Sequence, residues 1–263
     1  MTDAVDVHWR QFGQGAEPAL AIHCTLGHAG SWRGVATALG DVLTTLAYDL
    51  PNHGKSPDWN GQGDLHDACI APAREVLDRP MHLIGHSFGA TVALRLAVET
   101  PQNVKTLTLI EPVYFAAAGA HDPAALARYT AQALYATAMA KGDWAQAAAE
   151  FNATWGAGRD WHDLPAAAQK YMIDRMPFVD AQAPMIFDDS AGLLAEGRLE
   201  RAAMPCLLLK GSMSPEIIST VHDGLAARLP QARQETLQGV GHMSPVTHPD
   251  RVAAALRHHL EAA

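Results

Sequence analysis

One stretch constrains this chain more than any other. The apolar run Met81–Gly85 (MHLIG) leads directly into Gly85-His86-Ser87-Phe88-Gly89, and the helical stretch FGATVALRLAVE opens there. Read locally, this is a strand, a sharp turn and a helix. A serine between two glycines can take up strained backbone angles, and the small flanking residues let strand and helix approach closely. Its hydroxyl then stands above a sheet at a helix N-terminus, where developing negative charge is favoured. A five-residue G-x-S-x-G pattern recurs by chance, so the specificity lies in the strand before it and the helix after it. Ser87 is therefore predicted to be a nucleophile.

The same alternation runs along much of the chain. Short apolar runs read as strands at Val5–Phe12, Ala19–Cys24, Leu43–Tyr48, Val104–Ile110, Cys206–Lys210 and Ala232–Leu237. Near-continuous apolar runs of this length suit strands covered on both faces of a parallel sheet. Helical patterns fall between them, at Ser31–Leu39, Leu65–Leu77, Phe88–Glu99, Glu216–Leu229 and Pro249–Leu260. Thr247 and Asp250 read as a capping box with Pro249 in the first turn. The fold class is α/β, an open sheet with right-handed crossovers. From Pro112 to Met204 the rhythm breaks, and Ala-rich helical segments follow one another with no clear strand. Asp122-Pro123 is a good helix start there. Residues 112–200 are read as a helical insert over a core made of 1–111 and 201–263.

Charge and composition narrow the function. Lys+Arg 19 against Asp+Glu 28 gives a net charge of −9, which argues against nucleic acid or an anionic membrane surface as partner. The three cysteines, Cys24, Cys69 and Cys206, are far apart and suggest neither zinc nor a disulfide framework. No apolar run of membrane-spanning length and no secretory leader are read, so a cytoplasmic protein is expected. No cofactor is implied. The expected partner is a small-molecule substrate, and a homo-oligomer is left open.

A nucleophilic serine needs a base. His242 lies in Gly239-Val240-Gly241-His242-Met243, after the last strand pattern and before the last helix. Loops at the C-ends of parallel strands share one crevice, so His242 is expected near Ser87.

With these residues in hand, the chain resembles the α/β-hydrolase superfamily over nearly its full length. The serine elbow matches, as do Gly-Val-Gly-His-Met-Ser-Pro followed by His248-Pro249, and Asp49-Leu-Pro-Asn-His-Gly-Lys-Ser56, in which Asn52 replaces a glycine. The resemblance implies a mostly parallel eight-stranded sheet flanked by helices, with a helical cap beginning near Pro112. It also implies two backbone donors for an oxyanion. One is the N–H of Phe88. The other, by position in His23-Cys24-Thr25-Leu26, is that of Thr25, with Leu26 as the alternative if the loop is shifted. Cys24 stands where the family usually has glycine, and is read as a small buried residue.

The acid departs from the family pattern. The usual aspartate position falls on Ser214, in Gly211-Ser212-Met213-Ser214, and Ser214-Pro215-Glu216 reads instead as a helix start. Glu111, at the end of Val104–Ile110, is predicted to replace it. Some haloalkane dehalogenases carry their acid at the corresponding strand end. A carboxylate at an apolar strand end is costly unless paired, and His242 would pair it. Asp188, Asp189 and Asp223 are read as solvated, His258-His259 as exposed, His28 as either lining the pocket or hydrogen-bonding within its loop, and His86 as packing beside the elbow. Trp144, Trp155, Trp161, Met172, Met176 and Phe178 form either an apolar lid or the insert's own core.

The resulting expectation is a serine hydrolase cleaving a small to medium carboxylic ester through a Ser87–His242–Glu111 triad. A hydrolase of C–C bonds in β-diketone-type substrates, a peroxide-dependent activity and a non-catalytic binding protein of the same fold are the alternatives. A dehalogenase is disfavoured because its nucleophile is a carboxylate.

Overall fold

The computed structural model describes residues 6–263. Its centre is a seven-stranded sheet: β1 (Trp9–Phe12), β2 (Glu17–Ile22), β3 (Leu43–Tyr48), β4 (Met81–His86), β5 (Val104–Ile110), β6 (Cys206–Gly211) and β7 (Ala232–Leu237). The spatial order is β1-β3-β2-β4-β5-β6-β7. Only β1 is antiparallel, paired with β3, and the other neighbours are parallel. The strand order reverses direction at β2/β4, so β4 lies near the middle of the sheet with its C-end at the switch point where open α/β sheets place their ligands.

Buried alternate residues of each strand go to opposite faces. On β2, Leu20 and Ile22 join one core while Ala19 and Ala21 join the other, and β6 divides Cys206 and Leu208 from Leu207 and Leu209 in the same way. Helices cover both faces, which is why the strands read as continuous apolar runs. They are α1 (Arg33–Ala38), α2 (Leu65–Val76), α3 (Phe88–Glu99), α4 (Phe115–His121), α5 (Pro123–Gln132), α6 (Leu134–Ala140), α7 (Trp144–Trp155), α8 (Ala166–Asp180), α9 (Ala183–Ile186), α10 (Ile217–Ala226), α11 (Ser244–Thr247) and α12 (Pro249–Glu261). Between β5 and β6, α4 to α9 follow one another with no strand. Asp122 starts α5 as expected, its carboxylate accepting from the N–H groups of Ala124 and Ala125.

Several expectations need correcting. Among the described residues the sheet has seven strands, not eight. The strand read as Val5–Phe12 begins only at Trp9, and Val5 lies outside the described residues. The Thr247 capping box does not form. Thr247 ends α11, its hydroxyl donates back to the Met243 carbonyl, and His248 is the N-cap of α12 without a side-chain bond. Ser214 likewise does not cap α10, whose N-cap is Glu216. Asp189 is not a solvated helix residue: it accepts from the Tyr114 hydroxyl at 2.5 Å and from the N–H groups of Leu193 and Leu194. His258 is exposed, but His259 is buried on the inner face of α12.

Candidate active site

Parallel register brings the first two candidates together. His86 on β4 lies opposite Ile110 on β5. Ser87 and Glu111 therefore leave adjacent strands at the same level, and the Ser87 N–H donates to the Ile110 carbonyl at 2.9 Å. Both residues turn sharply, with φ of 55° at Ser87 and 52° at Glu111. Left-handed angles at non-glycine residues cost about 1–3 kcal/mol each and persist where the surroundings over-determine them. Gly85 and Gly89 make the Ser87 turn feasible. A Cβ at Gly89 would stand 2.3 Å from the Ile22 carbonyl oxygen, and one at Gly85 would stand 2.5 Å from the Ala90 Cα.

His242 comes from the loop after β7. Its Nε2 is 2.9 Å from Ser87 Oγ, and its Nδ1 is 3.3 Å from Glu111 Oε2. All three side chains are buried. The other carboxylate oxygen of Glu111 accepts from the Gly211 N–H at 2.5 Å and from the Ser214 hydroxyl at 2.6 Å. Burial alone would raise the Glu111 carboxyl. The hydrogen bond and electrostatic attraction of the His242 ring, with the bonds from Ser214 and Gly211, outweigh it and hold the group below the usual carboxylate range. Ser214, the position to which the resemblance assigns the acid, thus donates to the Glu111 carboxylate.

Two further contacts hold the imidazole. His86 Nε2 donates to the His242 carbonyl oxygen at 2.9 Å, and the Trp155 ring meets the His242 ring edge-on with centroids 4.8 Å apart. His86 is neutral: burial, reinforced by the neighbouring His242, pushes it down to about 3.

The loop after β2 is pinned by histidines that the sequence reading passed over. His23 donates through Nδ1 to the Cys24 carbonyl and accepts through Nε2 from the Leu50 N–H. His53 donates through Nδ1 to the Pro51 carbonyl and accepts through Nε2 from the Leu26 N–H at 2.9 Å. Leu26, at φ 63°, is therefore engaged. Among the described residues neither the Thr25 nor the Phe88 N–H donates to a protein acceptor. The signal for His53 lay in the Asp49–Ser56 loop. Asp49 accepts there from the N–H groups of Ala29 and Lys55, and Asn52 supplies the positive φ expected of the glycine it replaces. Cys24 is a buried thiol that burial pushes up to about 12.

These buried imidazoles predict a pH dependence. Burial lowers His23 to about 3 and His53 to about 4, and His86 behaves alike. The unfolded chain takes up protons near pH 6.5 and the folded chain does not, so stability is full above that pH and lost below it. Each histidine is expected to remove about 1.4 kcal/mol per pH unit as the pH falls from 6.5 towards 4. Urea midpoints at pH 7.5, 6 and 5 check this, and a flat series contradicts it.

Two cavities meet at Ser87 and Thr25. One of about 260 Å³ is lined by His242, Met243, Asn152, Tyr171 and Met172. The other, of about 200 Å³, is bordered by Phe115, Tyr135, Met139, Val179, Gln182 and Ile186. Phe151 and Trp155 border both. The apolar residues between β5 and β6 thus divide their roles. Trp155 faces the cavities, Trp144, Trp161 and Met176 pack with Ala147 and Ala148 in a separate cluster, and Met172 joins that cluster while also lining the first cavity. Phe178 packs against His53 and Phe88. Among the described residues no group of three or more His, Cys, Asp or Glu is arranged to hold a metal ion, and no helix is long and apolar enough to cross a membrane.

A family model described as the alpha/beta hydrolase family matches residues 19–255, which include the elbow, Glu111 and His242. The chain belongs to that family. Among curated relatives of this α/β hydrolase, a pimeloyl-[acyl-carrier protein] methyl ester esterase from Nitrosomonas europaea is 26% identical over 93% of this chain and 96% of its own. A dihydrolipoyllysine-residue acetyltransferase component of an acetoin cleaving system from Cupriavidus necator is 36% identical over 43% of this chain. The match spans only 31% of that protein's length. Among solved structures, a thermophilic esterase from Thermogutta terrifontis superposes with a TM-score of 0.69 at 18% identity, over 100% of this chain and 96% of that one; at that identity it speaks for the fold.

Proposed function

We propose that the protein is a serine hydrolase of small to medium carboxylic esters, working through an acyl-enzyme. Ser87 attacks the ester carbonyl, His242 takes the serine proton and then gives it to the leaving alcohol, and Glu111 holds the Nδ1–H tautomer and stabilises the cation. The N–H groups of Thr25 and Phe88 receive the oxyanion, each donor of this kind contributing about 3 kcal/mol. Water activated by His242 then releases the acid. The observation that carries this reading is the bridging imidazole, 2.9 Å from the Ser87 hydroxyl on one side and facing a buried carboxylate on the other. Ester-acting relatives such as the pimeloyl-[acyl-carrier protein] methyl ester esterase support the substrate class.

The two cavities take different halves of the ester. The leaving group must lie where His242 can protonate it, so the cavity containing His242 and Met243 receives the alcohol. The apolar cavity lined by Phe115 and Ile186 receives the acyl chain. Residues 112–200 then act as a cap over the core formed by 1–111 and 201–263, with Trp155 as its contact to the imidazole.

Covalent labelling tests the reading. A fluorophosphonate is expected to add once, on the peptide containing Ser87, and p-nitrophenyl esters of short acyl chains to be hydrolysed. No labelling and no turnover across the ester series leave a binding protein of the same fold.

A further inference from the structure

One buried polar group bordering the cavity assigned to the acyl chain has no protein partner. Gln182 lies between α8 and α9 and is 3% exposed. Its Oε1 accepts from the Thr25 hydroxyl at 2.8 Å. Its Nε2 is buried and meets no acceptor among the described residues. A buried amide left without a partner costs about 1–3 kcal/mol, so such a group in a site is a place where an incoming acceptor is rewarded. Gln182 also borders a neighbouring cavity beyond Phe88, but that cavity contains neither Thr25 nor Ser87. The bond to Thr25 holds the amide head at the Ser87 end, beside the residue whose N–H is proposed to hold the oxyanion. Nearby, the Thr130 hydroxyl donates to the carbonyls of Leu126 and Ala127, and the Tyr135 and Tyr129 hydroxyls, 2.5 Å apart, share one hydrogen bond. The walls around Gln182 are otherwise mostly carbon, from Phe115, Val179 and Ile186 among others, with Asp180 as the one charged residue on the lining.

We infer that Gln182 selects the acyl part: the preferred esters carry a hydrogen-bond-accepting oxygen a few atoms along the acyl chain from the scissile carbonyl, and Gln182 Nε2 donates to it. This rests on the ester-hydrolase reading and adds the substrate class to it. A saturated acyl chain fills the same volume but leaves the amide desolvated and unpaired. Sites built around a polar group discriminate against analogues that lack its partner more strongly than apolar pockets discriminate by size. Nε2 carries only donors, so ether, keto and ester oxygens qualify as its partner.

The test compares chains of one shape that differ by oxygen for methylene. The p-nitrophenyl esters of methoxyacetic and 3-methoxypropanoic acid are set against those of butanoic and pentanoic acid. For each pair the kcat/KM ratio is measured for the wild type and for Gln182→Met, which keeps the length and removes the donor. Dividing the wild-type ratio by the variant ratio cancels both the intrinsic reactivity of the ester and the fraction of correctly folded enzyme. The wild-type ratio is expected to exceed the variant ratio about tenfold for at least one oxygen position. Equal ratios at both positions, or a larger ratio in Gln182→Met, overturn the role of Gln182. Absence of turnover for all four esters, together with no fluorophosphonate labelling, tells instead against the ester-hydrolase reading itself.

Discussion

Ser87→Ala is expected to lower kcat for an activated ester by about 10⁶, with no fluorophosphonate labelling and an unchanged far-ultraviolet circular dichroism spectrum. The size follows from the way a triad works as a unit. Without the hydroxyl there is no acyl-enzyme, and what remains is the binding and oxyanion contribution, about 10³–10⁴ over water. The fold should tolerate the change. Alanine meets the same φ of 55° as serine, and the Ser87 N–H to Ile110 bond belongs to the backbone and stays. The hydroxyl contacts only His242 Nε2 among described protein groups. A variant that keeps more than a few per cent of the wild-type rate, in a preparation free of contaminating esterase, removes Ser87 from the nucleophile's role.

How much of this could be read beforehand depends on the range of the interaction that fixes each feature. Strand periods and the elbow are local, and β3, β5 and β7 fall at the residues predicted for them. Ser87 and His242 were legible for the same reason, since glycine spacing and chain order mark them. The pairing of Glu111 with His242 was anticipated because the resemblance sets an acid at the position that Ser214 occupies. What escaped were contacts made across the fold. That Ser214 donates to Glu111 depends on β6 ending beside β5, which no local pattern announces. The His53 bond to Leu26 joins two loops 27 residues apart, and it bears on the choice between Thr25 and Leu26 as the free donor. Gln182 reaches Thr25 from 157 residues away, and nothing in its neighbourhood sets it apart from any other helix-end glutamine. The misread caps at Thr247 and Ser214 have a common cause: a capping side chain accepts from helix N–H groups, and both hydroxyls instead serve as donors elsewhere, Thr247 to the Met243 carbonyl and Ser214 to the Glu111 carboxylate.

Glu111→Gln is the sharpest test of the unusual acid, and a fall in kcat of about 10⁴ is expected. The carboxylate accepts from three donors at once: the Gly211 N–H, the Ser214 hydroxyl and His242 Nδ1. An amide has one oxygen. If that oxygen stays with Gly211 and Ser214, the new NH₂ faces Nδ1. The imidazole can then relieve the clash only by moving its proton to Nε2, where it can no longer take one from Ser87. If the amide turns round, its NH₂ meets the Gly211 N–H instead, donor against donor in a buried place. Either orientation disables the base or strains the end of β6. The serine remains, so weak labelling by a fluorophosphonate should persist where Ser87→Ala shows none. Ser214→Ala keeps the charge and removes one donor of three, and a loss of about tenfold is the expected ceiling. Acid stability supplies an independent reading. The Glu111 carboxyl is held below its ordinary value, so its contribution is present above the unfolded-state value near pH 4.5 and lost as the pH falls through the lower folded-state value. In Glu111→Gln that part of the acid limb should disappear, while the loss below pH 6.5 from the buried histidines remains. Full turnover in Glu111→Gln, with activity abolished instead by Ser214→Ala or Asp189→Asn, would move the acid elsewhere and leave Glu111 as the residue that closes the end of β6.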